Sequence, residues 1–309
     1  MNLLVTGAAG FIGSAISRKA LKIGYEVYGL DCFLPDLYSN APKEDRIKVL
    51  KNNSKFHFID LDIRDDLTEL NLNGIDLIIH CAAMAGLKNS WSNFKTYQDC
   101  NSLGTFNLVS KTVNYPGIHF IYASTSSVYG KYAVGNERSQ ILPASPYGIT
   151  KYAAEQIVRN FEQSHGLSAT ILRLFSVYGP DQRPDMAFSK FISAMHSNKS
   201  IEIYGDGLQI RTNTYIDDAV DAFFSVSDTR FSGQTFNVAG DESHNLLEFI
   251  DLCSSIMKVS PDVKFLESRL GDQIETKGDS NLLSELTGWQ PKINFEQGVL
   301  LQIESFLNK

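Results

Sequence analysis

The chain has 309 residues, 43% of them hydrophobic and 20% charged, which is ordinary globular usage and excludes wholesale disorder or a coiled coil. At roughly 150 residues per domain the length suggests two domains or one large one. Acidic residues (35) outnumber basic ones (28), giving a net charge of −7, which speaks against nucleic-acid partners and a polybasic membrane binder.

Short apolar runs alternate with longer segments of helical period. Residues 3–6, 26–30, 56–59, 76–80, 119–123 and 170–174 predict strands, and residues 11–21, 43–50, 94–113 and 147–165 predict helices. That alternation predicts an α/β protein built on a Rossmann-type, doubly wound parallel sheet with right-handed crossovers. Past about residue 175, Gly179, Pro180 and Pro184 break the pattern. A helix at 187–196, a strand at 201–204, a helix after residues 214–218 and a strand at 234–238 follow. These breaks divide the chain into a larger domain, residues 1–174 with about 212–238, and a smaller α/β domain, 175–211 with 239–309. The active site is expected in the cleft between them.

Cys32, Cys81, Cys100 and Cys253 form no C-x-x-C pair. They read as reduced thiols in a cytoplasmic protein, with no metal site. The N-terminus enters a glycine turn without the basic region of a signal peptide. The most apolar stretch, near residues 77–87, is too short to span a bilayer.

The first predicted strand ends in Thr6-Gly7-Ala8-Ala9-Gly10-Phe11-Ile12-Gly13. Gly7 permits a tight turn, Gly10 lets a pyrophosphate approach the backbone, and Gly13 lets the helix pack against the strand. Phosphates would sit at the helix N-terminus beside Phe11, Ile12 and Gly13, where free N–H groups and the helix dipole favour negative charge. Asp31, at the end of the second strand, is placed to hydrogen-bond the ribose hydroxyls and repel a 2′-phosphate, so NAD is expected rather than NADP.

Tyr147 and Lys151 stand four residues apart on one face of a predicted helix. An unperturbed phenol, with a pKa near 10, is a poor base at neutral pH, and a neighbouring ammonium is expected to lower that value. Thr125 closes the fifth strand, at the carboxyl edge of the sheet, where its hydroxyl can donate to the same substrate oxygen.

The G-x-x-G-x-x-G turn resembles that of the extended short-chain dehydrogenase/reductase family. Together with Asp31, His80-Cys81-Ala82-Ala83, Asn101, the run from Ser124 to Gly130, Tyr147, Lys151, Tyr178-Gly179-Pro180, Arg211, Gly271-Asp272 and Gly288-Trp289-Gln290-Pro291, it is similar to the nucleotide-sugar epimerase/dehydratase group. The resemblance implies that Asp62 and Ile63 contact the adenine. It implies that Ala82, Ala83, Lys88 and Asn101 belong to the cofactor site. It also implies that Arg211 and Arg269 hold the diphosphate of a UDP-sugar, and that the protein is a homodimer joined through the helices at 94–113 and 147–165. Dehydratases and decarboxylases of the group follow the active-site threonine with Asp-Glu or Ser-Glu. Ser126 and Ser127 stand there here, so general-acid elimination lacks its agent.

The stretch around Ala82 to Ser90 and the run Arg183-Pro184-Asp185-Met186-Ala187 are similar to UDP-glucuronate 4-epimerases. Lys88 replaces the usual arginine of that subgroup and Ser176 the usual threonine. Chemistry supports a uronate independently. Oxidation at C4 makes a β-keto acid, which loses CO2 when the carboxylate bond aligns with the carbonyl π system. The carboxylate must be held out of that alignment, and Thr125, Ser126, Ser127, Ser176 and the charge of Arg183, with Lys88 nearby, form a candidate grip. The expected activity is therefore NAD-dependent C4 epimerisation of a UDP-hexuronate. The alternatives are a neutral UDP-sugar epimerase, a reductase or dehydratase of the group, and a non-catalytic nucleotide-sensing protein.

Overall fold

The alternation folds into a seven-stranded parallel sheet with helices on both faces, in a computed structural model that describes residues 1–34, 38–268 and 271–308. The first half contains β1 (Asn2–Thr6), α1 (Phe11–Lys22), β2 (Glu26–Asp31), α2 (Ala41–Leu50), β3 (Phe56–Asp60), β4 (Leu77–His80), α3 (Asn89–Ser92), α4 (Phe94–Gln98), α5 (Gly104–Thr112), β5 (His119–Thr125) and β6 (Tyr132–Gly135). Then come α6 (Pro146–His165), β7 (Ser168–Leu174), β8 (Val177–Tyr178), α7 (Ala187–His196), β9 (Ile201–Tyr204), β10 (Ile210–Thr212), β11 (Thr214–Tyr215) and α8 (Ile216–Ser225). The chain closes with β12 (Thr235–Val238), β13 (Ser243–His244), α9 (Leu246–Met257), β14 (Val263–Leu266), β15 (Glu275–Gly278), α10 (Asn281–Thr287) and α11 (Phe295–Leu307).

The large sheet runs β3-β2-β1-β4-β5-β7-β12, with every neighbouring pair parallel. Strand order reverses between β1 and β4, which opens a crevice beyond their carboxyl ends. β4 and β5 are buried along their whole length because both faces are covered. Residues alternate between those faces. Leu4, Ile78 and Phe120 pack against Leu108 of α5 and Val158 of α6. Leu3, Leu77, Ile79 and Ile121 face the side of Ile16 and Phe223, and that core continues without a break to Phe188, Phe249 and Phe295. A four-stranded sheet, β13-β10-β15-β6, joins the chain after β5 to the C-terminal third.

Two departures from the sequence expectation bear on the site. β5 extends two residues past 123, so Thr125 is its last residue. The helix expected over 94–113 is broken by a π-helical turn at Asp99–Leu103 between α4 and α5. Within it Asn101 points inward and Thr105 donates its hydroxyl to the Asn101 carbonyl at 2.6 Å. A local widening of this kind is a recurrent device near functional sites. Among the described residues, no helix is long and apolar enough to cross a membrane, and no cluster of His, Cys, Asp or Glu could hold a metal ion.

Candidate active site

The carboxyl ends of β1, β2, β4 and β5 converge on one cleft. Gly7 adopts φ +70°, and a Cβ there would sit 2.8 Å from the Ala82 nitrogen. A Cβ on Gly13 would lie 2.1 Å from the Gly7 carbonyl, so both positions exclude side chains. Gly10 caps α1 without any side chain to occupy the first-turn N–H groups, which leaves them free for an anion. Phe11, Ile12 and Gly13 line the cleft at that point. Asp31 ends β2 with one carboxylate oxygen accepting the Ala9 N–H and the other the Phe33 N–H, both at 3.0 Å. Burial pushes its pKa up, and these bonds oppose the rise. Asp62 and Ile63 line the same cleft, and Arg64 holds the Asp62 carboxylate through Nε at 2.9 Å. This bare anion cradle beside a fixed carboxylate fits a dinucleotide with a free ribose diol.

Ala82 and Ala83 line the cleft after β4. Asn101 and Lys88 do not. Asn101 is 1% exposed. Its Oδ1 accepts the Met84 N–H at 2.8 Å, and its Nδ2 donates to the Met84 carbonyl and to Thr150 Oγ1, each at 3.0 Å. It pins the segment that forms the cleft wall, with both amide hydrogens already engaged. Lys88 is exposed at the start of α3, outside the lining, because the short helix turns its side chain to solvent. Arg269 lies outside the described residues.

Tyr147 and Lys151 sit on α6 and face Thr125 at the end of β5, and all three line the cleft. Ser145 caps α6 by accepting the Gly148 N–H at 3.2 Å, and Pro146 opens it, a start that favours helix from that point. The Thr125 hydroxyl lines the cleft beside the Tyr147 phenol. Burial raises the phenol's pKa above its ordinary value, while the Thr125 hydroxyl and the charge of Arg183 pull it down. Lys151, expected to do the lowering, is not among the groups that shift the phenol in the protein alone. Lys151 Nζ donates to the Ala123 carbonyl at 2.7 Å and stands 4.2 Å from the centre of the Tyr122 ring. Burial lowers the ammonium's own pKa to about 7, with Cys81 and Glu155 opposing. The shared helix face is as expected, and the ammonium donates to the strand.

Thr125, Ser126, Ser127, Ser176 and Arg183 all line the cleft. Thr125 caps a single 3-10 turn, Ser126–Tyr129, by accepting the Ser127 N–H at 3.1 Å. Arg183 is paired with Asp185, Nε to Oδ1 at 2.9 Å and Nη2 to Oδ2 at 2.6 Å. Arg211 lies in an adjoining cleft with Lys190, Asn213 and Asp272, which meets the first at Ser176 and Gln182. Its burial lowers the guanidinium to about 10.

Sequence reasoning missed several groups. Gln273 faces the serine turn from just before β15, and Tyr38 and Lys43 line the outer wall. Behind the site, Glu155 and Arg173 form a buried pair, Nη2 to Oε2 at 2.7 Å, and Glu155 also accepts from Ser124. Glu155 had a signal, since it continues the Tyr147/Lys151 spacing by four. Gln273 had none beyond following Gly271-Asp272.

A parallel sheet that binds at its reversal point, with a tyrosine–threonine pair at the crevice, defines a dinucleotide-dependent enzyme acting on a hydroxyl-bearing substrate. Residues 3–239 match the NAD dependent epimerase/dehydratase family, and the chain belongs to that family. Over 303 residues it is 33% identical to a UDP-glucuronate 4-epimerase of Thermodesulfobacterium geofontis, covering 96% of this chain and 93% of the other. Its structure resembles that of UDP-glucuronic acid 4-epimerase from Bacillus cereus in complex with UDP-glucuronic acid and NAD, with a TM-score of 0.95, 36% identity and coverage of 100% and 99%. It is also similar to UDP-glucose 4-epimerase of Thermotoga maritima solved with UDP-glucose, with a TM-score of 0.90, 28% identity and coverage of 100% and 99%.

Proposed function

We propose that the protein is an NAD-dependent epimerase that interconverts UDP-glucuronate and UDP-galacturonate at C4. The observation that carries this reading is the meeting, in one cleft, of a Tyr147–Thr125 hydroxyl pair with Ser126, Ser127, Ser176 and Arg183. When bound in the glycine cradle, NAD supplies the hydride acceptor and donor and a cationic ring. Gly7, Gly10, Phe11, Ile12 and Gly13 receive its diphosphate, Asp31 the ribose, Asp62 and Ile63 the adenine, and Ala82 and Ala83 border the nicotinamide. Tyr147 takes the proton of the 4-hydroxyl and later returns it, while Thr125 donates to the same oxygen. Lys151 steadies the end of β5 through the Ala123 carbonyl. The 4-keto sugar turns over in the pocket and is reduced on its other face, so no net redox change occurs. The serine hydroxyls and Arg183 hold the carboxylate, and Arg211 the substrate diphosphate. Residues 1–174 with about 212–238 form the NAD-binding domain and 175–211 with 239–309 the nucleotide-sugar-binding domain, with Thr125, Ser126, Ser127 and Tyr147 reaching the sugar from the first.

A second reading, a neutral UDP-sugar epimerase, draws on one observation: the charge of Arg183 is already paired with Asp185. Incubating the protein with a panel of UDP-sugars and resolving the C4 epimers decides between them. UDP-glucuronate should turn over fastest, and turnover confined to neutral sugars overturns the uronate reading.

A homodimer is part of the same proposal. Leu103, Phe106 and Ile149 are 44–51% exposed on the α5 and α6 side, an apolar strip suited to a second copy. Light scattering tests it, and a monomer at micromolar concentration refutes it. We place the protein in the cytoplasm, where its free thiols stay reduced. Its product is an activated sugar suited to polysaccharide synthesis.

A further inference from the structure

We propose that Gln273 is a positioning residue that sets how often the oxidised uronate proceeds to the epimer instead of losing its carboxyl group. The inference rests on the uronate reading above. Gln273 is 8% exposed. Its Nε2 donates to the Gly130 carbonyl at 2.9 Å and to the Ser126 carbonyl at 3.4 Å. Those carbonyls bracket the 3-10 turn that carries Ser126 and Ser127. The turn leaves through Gly130 at φ +91°, a conformation glycine adopts freely, so local sterics alone do not fix the turn and it gains from outside restraint. The carboxamide supplies it from a segment more than 140 residues away in sequence.

The backbone of Gln273 reaches the other end of the substrate. Its carbonyl accepts from Arg211 Nη2, in the cleft assigned to the diphosphate. The next residue, Ile274, donates its N–H to the Lys131 carbonyl at 2.9 Å, and β15 then pairs with β6, which follows the serine turn. One residue therefore ties the turn that faces the sugar carboxylate to the guanidinium that faces the nucleotide.

The chemistry makes that tie consequential. With a ketone at C4, the C5–C6 bond can break. Its electron pair passes into the C4–C5 enolate, carbon dioxide leaves, and a proton from water returns to C5. Breaking is fast only when C5–C6 stands along the carbonyl π orbital. Ser126 and Ser127 restrain that torsion only as well as their own turn is restrained. The competing outcome, return of hydride to C4, does not depend on this torsion. A loosened turn should therefore change the partition between products more than the rate of the first oxidation.

The test uses Gln273→Met, which keeps length and loses the donor, and Gln273→Glu, which donates only when protonated. Carboxyl-labelled UDP-glucuronate is supplied, and released labelled carbon dioxide is counted against epimer formed. Reduced-nicotinamide absorbance is followed as well, because a departing 4-keto pentose leaves its hydride behind. In Gln273→Met the share of turnovers ending in carbon dioxide should rise roughly tenfold over wild type, the ratio equivalent to about 1.4 kcal/mol of lost hydrogen bonding. In Gln273→Glu the excess over wild type should shrink as pH falls and the carboxyl becomes a donor again. If Gln273→Met fails to fold, the pH response of Gln273→Glu decides alone. A variant that folds and turns over more slowly with an unchanged partition overturns the proposal. Wild-type protein that leaves UDP-glucuronate untouched overturns the functional reading instead.

Discussion

Truncating Asn101 to alanine separates two roles for this residue, contact with the cofactor and anchorage of the cleft wall. The side chain makes three buried hydrogen bonds of 2.8 to 3.0 Å, two to the Met84 backbone and one to Thr150 Oγ1. Met84 is 4% exposed, so its N–H and C=O are shielded from bulk water. Thr150 keeps its bond to the Tyr147 carbonyl at 2.9 Å, and the cost falls mainly on the Met84 N–H and C=O. Each orphaned buried group costs about 1–3 kcal/mol, about 2–6 kcal/mol for the two. That is a large part of the roughly 5–15 kcal/mol that holds a typical domain folded. Urea unfolding of the ligand-free Asn101→Ala protein should show that loss as a lower midpoint with an unchanged slope. NAD affinity should fall as well, because Ala82 and Ala83 precede the released segment. A ligand-free stability within about 0.5 kcal/mol of wild type, the range of an ordinary surface substitution, together with weakened NAD binding would refute the anchorage argument and return Asn101 to direct contact.

Tyr147→Phe should lower kcat for UDP-glucuronate by about 10²–10⁴, the usual worth of a positioned proton-transfer group, with KM little changed; steady-state kinetics checks it, and near-normal turnover refutes the assignment. Lys151 gives a signed pH effect. Its folded pKa is about 7 against 10.5 for a solvated lysine, so between those values the unfolded chain binds more protons and folding stability gains with rising pH. Thermal unfolding of ligand-free protein across that window should show the gain in wild type and not in Lys151→Met, and parallel curves for the two would refute it. Asp31→Ser should narrow the preference for NAD over NADP by about tenfold or more, since on the proposed reading it removes the charge that would face the 2′ position; titration with both cofactors measures it. Asp185→Asn frees Arg183 from its bidentate partner and should lower KM for UDP-glucuronate without changing that for UDP-glucose, whereas equal shifts would mean the pair does not read the carboxylate.

The sequence by itself determined what local rules govern. The β1–glycine–α1 turn is legible because a left-handed turn and a close helix approach admit only glycine at Gly7 and Gly13. The Tyr147/Lys151 face follows from helical spacing, and the buried central strands from their unbroken apolar runs. The rest was decided by contacts between segments far apart in the chain. Asn101 belongs to Met84 and Thr150, and Gln273 to Gly130, only because tertiary packing brings those carbonyls and amides within hydrogen-bond reach. Lys151 turns to the Ala123 carbonyl because its ammonium, once buried, takes the acceptor that the end of β5 presents. Periodicity records which face of a segment is buried. Which polar partner a buried group then meets is settled by where the other elements pack, and no local pattern encodes that.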